Sequence, residues 1–432
     1  MTHSRSVEYV VKSGLCIGCG LCKVACPHKA IEMAYSDDHG MIFPVVNREK
    51  CKNCGICLDV CYGFKVDHES TSGVSNNVVT FIIGDYIGSY IGFASDHTLR
   101  FNSASGGIVT ALLVYALKEG LIDGAIVTKM EAGNPPRAKA FIATTEREVI
   151  SAVGSKYCPV CLAECLETIE NGKRYAVVGL PCHIYGMRKL AKYNSKVRSA
   201  IRLNIGLLCG GMPSYLGTQY LLRIYGIEKQ HIKRLEYRGG GWPGRLLIQS
   251  EYSGKERRIS VPYPDYWRGT FGYFFHYRCT VCHEGFNRWS DISCGDAWLP
   301  HLISMDKIGT SLIITRTKIG EQLLRNAHLK RYIQIAPIKS QDLIRSQRGL
   351  VRFKYSTLRA RINLSKIARR KLPAFDMNVV PAADPASYLM AIDFYIGNIM
   401  ATKKGLWWLF HRYLSLKRAV TRILVKHAKN NK

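Results

Sequence analysis

Cys16, Cys19, Cys22 and Cys26 are separated by two, two and three residues and lead into Pro27; Cys51, Cys54, Cys57 and Cys61 repeat that spacing. Three thiolates from one short loop can take three corners of a cubane [4Fe-4S] cluster, while the fourth cysteine of each run ligates the other cluster. The spacing therefore predicts Cys16, Cys19, Cys22 and Cys61 on one cluster and Cys51, Cys54, Cys57 and Cys26 on the other. Gly18, Gly20 and Gly55 relieve crowding where backbone amides turn toward the sulfurs, and Asn53, the counterpart of Gly18, also tolerates a left-handed backbone. Paired zinc sites fit badly, because zinc modules usually carry two Cys-x2-Cys pairs about a dozen or more residues apart. A disulfide framework fits no better. Met1 to Lys12 is mostly polar and shows no charged-then-apolar signal, so a reducing cytoplasm is the expected compartment. The second run ends in Tyr62 where the first has Pro27.

The two runs imply a small pseudo-symmetric ferredoxin unit over residues 1–66, followed by a linker at 67–77, where Ser70, Thr71, Ser72, Gly73 and Ser75 gather. At 432 residues the chain needs more than one core. From 78 to about 340, short apolar runs alternate with amphipathic segments, which argues for a larger α/β domain, so the fold class is α+β or α/β. Helices are predicted over Ile108 to Glu119, about His183 to Tyr193, and from Pro213 through Tyr225. Strands are predicted over Gly124 to Lys129, Arg174 to Gly179 and Ala200 to Cys209, with a β-rich stretch over Ile232 to Pro264.

The net charge of +29 is uneven. Arg345 to Lys371 is basic, and Lys403 to Lys432 holds Lys403, Lys404, Arg412, Lys417, Arg418, Arg422, Lys426, Lys429 and Lys432 with no acid. Such an excess attracts polyanions: nucleic acid, anionic lipid or an acidic coenzyme. No nucleic-acid motif accompanies it, so nucleic acid is not an expected partner. Residues 341–432 read as a basic, helical C-terminal region. Leu406, Phe410, Tyr413, Leu416, Val420 and Ile423 recur at helical spacing beside Trp407 and Trp408. That pattern suits an interfacial helix on an anionic membrane and equally a helix packed on the main domain with a solvated basic face. Nothing reaches the roughly 18 apolar residues of a spanning helix.

Ser103 to Gly107 stands before a helical pattern, where small residues could offer amides to a phosphate or make an ordinary helix start. Gly179-Leu180-Pro181-Cys182-His183 joins a predicted strand to a helix, a place where α/β folds put ligands and where a tight turn is also natural. Cys279-x2-Cys282 could seed a further metal site but not fill one. Cys182 and Cys209, in loops after predicted strands, are the remaining ligand candidates. Cys158, Cys161 and Cys165 read most simply as partly buried free thiols.

Seven motifs follow one another in order: Ser105-Gly106-Gly107; Gly154-Ser155-Lys156-Tyr157; Gly179-Leu180-Pro181-Cys182; Cys209 with Pro213-Ser214; Gly241-Trp242-Pro243-Gly244; Arg278-Cys279-x2-Cys282; and Asp291-Ile292-Ser293 with Gly295-Asp296. Together they resemble the beta-subunit family of coenzyme F420 hydrogenases and dehydrogenases, over roughly residues 1–340. The resemblance implies an FAD-binding domain with a third [4Fe-4S] cluster. It would pass electrons between FAD, the clusters and an 8-hydroxy-5-deazaflavin. Carried over, Ser105, Gly106, Gly107, Lys156, Tyr157 and Pro181 would lie near FAD, and Cys279, Cys282, Cys182 and Cys209 would hold the extra cluster. Cys294, Cys161 and Cys165 stand at positions where the family usually has other residues.

Two functions follow as expectations. The chain is an iron-sulfur flavoprotein oxidoreductase acting on F420 or a related hydride acceptor. Alternatively, it is a non-catalytic electron relay that docks a redox partner protein or ferredoxin, at the membrane surface in one version. His183 is a candidate proton relay or a packing residue; no catalytic acid/base pair stands out.

Overall fold

The computed structural model describes residues 5–67, 82–131, 133, 136–268, 270–374 and 380–430, with side chains up to position 420, Arg268 excepted. The expected linker beyond Asp67 and the tail side chains of Arg422, Ile423, Lys426, Lys429 and Lys432 lie outside the described residues.

The first cysteine repeat feeds the short helix Leu21–Ala25 and the second feeds Ile56–Asp59, each after a glycine in the left-handed region, Gly20 at φ 80° and Gly55 at φ 82°. Between them β1 (Ile31–Ser36) and β2 (Met41–Val46) form an antiparallel hairpin, Ile31 opposite Val46. Gly18 and Asn53 occupy matching left-handed positions, at φ 74° and 51°. A side chain at Gly18 would also strike the Ile42 carbonyl oxygen at 2.6 Å.

The body is built on β3 (Gly88–Ala94), β4 (Gly124–Glu131), β5 (Arg137–Ala143), β6 (Tyr175–Gly179), β7 (Ile201–Leu207), β8 (Ile232–Gly239), β9 (Arg245–Tyr252), β10 (Lys255–Pro262), β11 (Ile292–Asp296), β12 (Ser311–Thr315) and β13 (Ile333–Pro337). Eight of these make one mixed sheet in the order β13-β3-β12-β11-β7-β6-β4-β5. Its middle run, β11-β7-β6-β4, is parallel, and its flanking strands are antiparallel. Central strand β6 is almost wholly buried, as a parallel strand covered on both faces should be. Ala176 faces a core completed by helices Ile108–Lys118 and Lys318–Leu329, while Val177 faces the opposite core with helix Pro181–Tyr193. The β-rich stretch becomes the separate antiparallel sheet β10-β9-β8.

The helix expected from about His183 starts two residues earlier, because Pro181 fits a first helical turn, where its missing N–H is not needed. The strand expected from Ala200 starts at Ile201, since Ala200 closes the preceding short helix.

The C-terminal region supplies helices Leu358–Ile367, Pro385–Ala401 and Trp407–Asn430. The last of these packs on the body through Trp407, Phe410 and Leu414, with the Trp407 and Phe410 rings 5.5 and 5.2 Å from Tyr220. Trp408, Leu416 and Val420 face outward. No helix among the described residues is long and apolar enough to cross a membrane.

Candidate functional site

The ferredoxin cysteines sort by proximity. Cys22 interacts electrostatically with Cys19, Cys16 and Cys61 and least with Cys57, and Cys57 interacts with Cys54, Cys26 and Cys51. Burial first, and then the negative charge of these neighbours, pushes Cys22 well above the ordinary thiol range and Cys57 to about 11. Buried thiols that oppose one another's ionisation in this way suit a polynuclear cation, which would offset the repulsion. Backbone amides already point at sulfur, Gly18 N to Cys16 Sγ at 3.4 Å and Ala30 N to Cys26 Sγ at 3.3 Å.

A second convergence lies at the carboxyl ends of β6 and β7, where Gly179 pairs with Gly206. Cys182 sits in the first turn of helix Pro181–Tyr193 rather than in a loop, and Cys209 follows β7. The Pro213–Phe275 bridge and the His276 N to Met212 O bond of 3.3 Å bring the Cys279 and Cys282 segment alongside. Cys209 N donates to Gly285 O at 2.9 Å. Burial and then Cys209, Cys279, Cys19 and Cys282 push Cys182 up, and burial with Cys279 and Cys282 takes Cys209 to about 12 against the lowering effect of Lys354. No group of three or more His, Cys, Asp or Glu among the described residues gathers as a site for a metal ion.

Sequence pattern assigns no role here to the three residues that organise this place, and of them only Tyr62 stands out in it, as a departure from Pro27. Asn287, fully buried at φ 57°, donates through Nδ2 to Gly179 O at 2.9 Å and Leu207 O at 3.2 Å, tying the two strand ends together. Lys354 is 1% exposed, and its ammonium interacts with Cys282, Cys209 and Cys279. Tyr62 places its hydroxyl 3.3 Å from Cys282 Sγ. Burial holds the Tyr62 phenol neutral well above its usual range, while at Cys282 the Lys354 and Arg278 charges outweigh burial and lower the thiol. A cluster-bound Cys282 would carry no S–H, so the phenol would be the donor there. Arg278, 1% exposed, lies 4.4 Å over the Tyr62 ring and donates to Tyr62 O; its Nη1 is buried with no hydrogen-bond partner. An unpartnered guanidinium nitrogen beside the Cys182, Cys279 and Cys282 thiols fits a site whose thiolate-ligated cluster would be anionic overall.

The ferredoxin unit is thus pressed against this site. Leu162 N donates to Cys19 O at 2.9 Å, and Gly186 lacks the Cβ that would meet Leu21 Cδ1 at 2.3 Å, so the two helices approach closely.

The residues expected near FAD are dispersed. Lys156 lines a cleft of about 780 Å³, whose wall also carries Lys118, Lys233, Arg234, Arg238 and Arg331 against Asp96, Glu131, Glu146 and Glu236. That size suits a ligand of cofactor dimensions, and of the wall cations Lys118, Lys233, Arg234 and Arg238 are paired with carboxylates. The Lys156 ammonium donates to Ala152 O at 2.5 Å, Val153 O at 3.0 Å and Gly154 O at 2.9 Å, which occupies its three N–H groups, and burial lowers it to about 8. Tyr157 sits in an aromatic cluster, 4.3 Å from Trp267 and 5.8 Å from Tyr237. Gly106 N donates to Ser311 Oγ at 2.9 Å and Ser105 Oγ to Thr310 O at 3.0 Å; Gly107 precedes helix Ile108–Lys118, and Pro181 opens the helix bearing Cys182. Ser105, Gly106, Gly107, Tyr157 and Pro181 are not on the cleft wall. Arg238 is, and it binds Asp296 at 2.8 and 2.9 Å while Trp242 Nε1 donates to the same carboxylate at 2.7 Å.

Cys158, Cys165 and Cys294 are buried thiols, the last two raised to about 12 by burial, whereas Cys161 is half-buried beside Cys16 and Cys19. His183 is buried, and desolvation lowers it to about 4, so it stays neutral near pH 7.

Fold and cysteine geometry together define an iron-sulfur protein with a ferredoxin unit set against an α/β body. The chain belongs to the coenzyme F420 hydrogenase/dehydrogenase beta-subunit family: the C-terminal family pattern matches residues 172–341, the N-terminal pattern 89–167, and a 4Fe-4S dicluster pattern 15–62. It is 26% identical over 377 residues to the coenzyme F420-dependent sulfite reductase of Methanocaldococcus jannaschii, covering 84% of this chain but only 53% of that relative. It is 26% identical over 265 residues to the coenzyme F420 hydrogenase subunit beta of Methanosarcina barkeri, covering 59% of this chain and 84% of the relative. A chain solved in the F420-reducing [NiFe] hydrogenase complex from Methanosarcina barkeri superposes with a TM-score of 0.51 at 22% identity, over 70% of this chain and 99% of that one, which shows a shared fold.

Proposed function

We propose that the chain is an iron-sulfur flavoprotein oxidoreductase subunit that moves electrons between FAD, three [4Fe-4S] clusters and coenzyme F420 or a related hydride acceptor. The observation that carries this reading is the direct junction between the two cysteine groups: Tyr62, next in sequence to Cys61, meets Cys282 at 3.3 Å. Residues 1–66 would hold two clusters, through Cys16, Cys19, Cys22 and Cys61 and through Cys51, Cys54, Cys57 and Cys26. Cys182, Cys209, Cys279 and Cys282 would hold the third. The cleft bearing Lys156 would take the diphosphate of FAD; Ser105, Gly106, Gly107, Tyr157 and Pro181, which the family resemblance puts near FAD, stand off its wall. When bound, FAD would supply the conversion of a two-electron hydride into single electrons, chemistry that belongs to the cofactor while the protein orients it and tunes its potential. Tyr62 would donate its O–H to a cluster-bound Cys282 sulfur, and His183, buried and held neutral by desolvation, would pack rather than relay protons.

The reading is supported by family membership and by names among the relatives that include an F420 hydrogenase, an F420-dependent formate dehydrogenase and an F420-dependent sulfite reductase. Anaerobically purified protein is expected to show flavin absorption and to reduce F420 when given an electron donor. A preparation that takes up no flavin even on reconstitution would count against it.

One observation favours a second reading, a relay that docks elsewhere. Leu389, Ile392, Ile396 and Ile399 form an exposed stripe along helix Pro385–Ala401, next to the acid-free basic tail with its exposed Trp408. An apolar stripe beside cations suits an anionic lipid surface.

A further inference from the structure

The three cysteine groups differ in the buried charge that faces them. Cys16, Cys19 and Cys22 are surrounded by other cysteines, and in that group only Cys61 is eased by a cation, Arg278. Around Cys209, Cys279 and Cys282 stand Lys354 and Arg278, each 1% exposed, and Arg361, 2% exposed, which interacts with Cys282 and donates from Nε to Thr280 O at 2.7 Å. Tyr62 adds a hydroxyl 3.3 Å from Cys282 Sγ, which would donate to a cluster-bound sulfur that has no proton of its own. Lys354 and Arg361 come from the C-terminal region, beyond the 172–341 family match.

Reduction adds one negative charge to a cluster, and its potential follows net charge, hydrogen bonds to sulfur and solvent exposure. Burial alone lowers a potential by penalising that added charge. It acts on both the Cys16 and the Cys282 groups, so it does not separate them. Cations in a low-dielectric interior act more strongly than the same charges in water; buried Lys354 and Arg361 stand at the Cys282 group, Arg278 is shared between that group and Cys61, and the cations beside Cys26, Cys51, Cys54 and Cys57, Arg5 and Lys52, are exposed to solvent.

We propose that Lys354, supported by Arg361, Arg278 and the Tyr62 hydroxyl, is a positioning residue of the C-terminal region that makes the Cys182, Cys209, Cys279 and Cys282 cluster the most easily reduced of the three. The transfer balances as one electron lost by a ferredoxin cluster and one gained by this cluster, with no proton moved. The inference rests on the third-cluster reading above. The Lys354 arm then sets the direction of current, drawing electrons from the solvent-facing Cys54 end of the ferredoxin unit inward to the β6 and β7 strand ends.

The test is a redox titration followed by electron paramagnetic resonance on the full chain, purified and reconstituted without oxygen, with iron counted in every sample. The third signal is assigned by its loss in Cys279→Ala. In the unaltered protein it should titrate at the highest potential. Lys354→Met should shift its one-electron equilibrium about tenfold, or about 59 mV, toward the oxidised form. Lys354→Arg should stay near the starting value, and the other two signals should not move. Tyr62→Phe, which keeps the ring and removes one O–H, should shift the same signal in the same direction by less, and it serves where Lys354→Met does not fold. A third signal below the ferredoxin pair, or an unshifted signal in Lys354→Met at full iron content, overturns the inference. An unaltered protein with about eight irons instead of about twelve, at four per cluster, overturns the third-cluster reading itself.

Discussion

Arg238 is 3% exposed and its guanidinium is bound in two places to Asp296, which also accepts from Trp242. Removing one partner of a buried pair leaves an uncompensated charge at a cost of about 3–5 kcal/mol, so Asp296→Ala should lower the urea midpoint by that equivalent. A loss below about 1 kcal/mol would mean the pair is effectively solvated. Asn287 poses a second test. Asn287→Gly keeps the left-handed backbone but removes both bonds to the β6 and β7 ends. A broken buried hydrogen bond costs about 1–3 kcal/mol, and about four of the irons should leave faster to a chelator while the ferredoxin irons stay; unchanged release kinetics would place the clamp away from the cluster. At this scale the sequence was legible wherever chemistry is written as spacing. The cysteine runs and Cys279-x2-Cys282 stood out, and the structure brings Cys182 and Cys209 beside that pair. Asn287 carried no pattern, and Lys354 lay in a basic stretch that reads as solvated surface, because a charged side chain gives no sign in sequence that it is buried. Tyr62 was visible only as a departure from Pro27, and its partner lies 220 positions away.

Elements carry the link between ferredoxin unit and body. Helix Leu21–Ala25 lies on helix Pro181–Tyr193 at Gly186, and Asp67 clasps the end of the unit through Lys65 at 2.8 Å, through Lys189, and by donating its own backbone N–H to Tyr185 Oη at 2.9 Å. Hydrogen bonds from Lys189 and Lys65 lower the Asp67 carboxyl to about 2. A depressed carboxyl stabilises the fold at every pH above its unfolded value of about 3.9 and loses that contribution only as pH falls through the folded value. Asp67→Asn should therefore raise protease cleavage near this junction at pH 7 by a few-fold, and the difference between the two proteins should persist down to about pH 4. A difference that vanishes between pH 7 and 5 would show that another group controls the clasp. Period and punctuation made most elements readable: the apolar Tyr175–Gly179 strand and the amphipathic helix behind it appear within two residues of expectation. The pairing order of the eight strands, and the approach of the ferredoxin helix to Gly186, depend on long-range contacts that no local pattern records.

At the scale of the whole molecule, a +29 chain presents a body that buries its last helix by Trp407, Phe410 and Leu414 and leaves Trp408, Leu416 and Val420 outside. The helical period of the tail was legible; which ridge turns inward was set by the aromatic pocket of Tyr220 and Phe274. If that outer face meets anionic lipid, Trp408→Glu with Leu416→Glu should cut flotation with anionic vesicles about tenfold, since each buried large apolar side chain contributes roughly 1.5–3 kcal/mol. Equal flotation of both proteins would remove the lipid surface as a partner. The central proposal is that one chain joins a dicluster ferredoxin unit to a third cluster at the β6 and β7 ends. Iron and acid-labile sulfide, counted together in oxygen-protected protein before and after the paired change Cys182→Ala and Cys279→Ala, test it most directly. The expected result is about twelve of each per chain, falling to about eight in the variant; zinc in place of iron, or a count that the variant leaves unchanged, would contradict it.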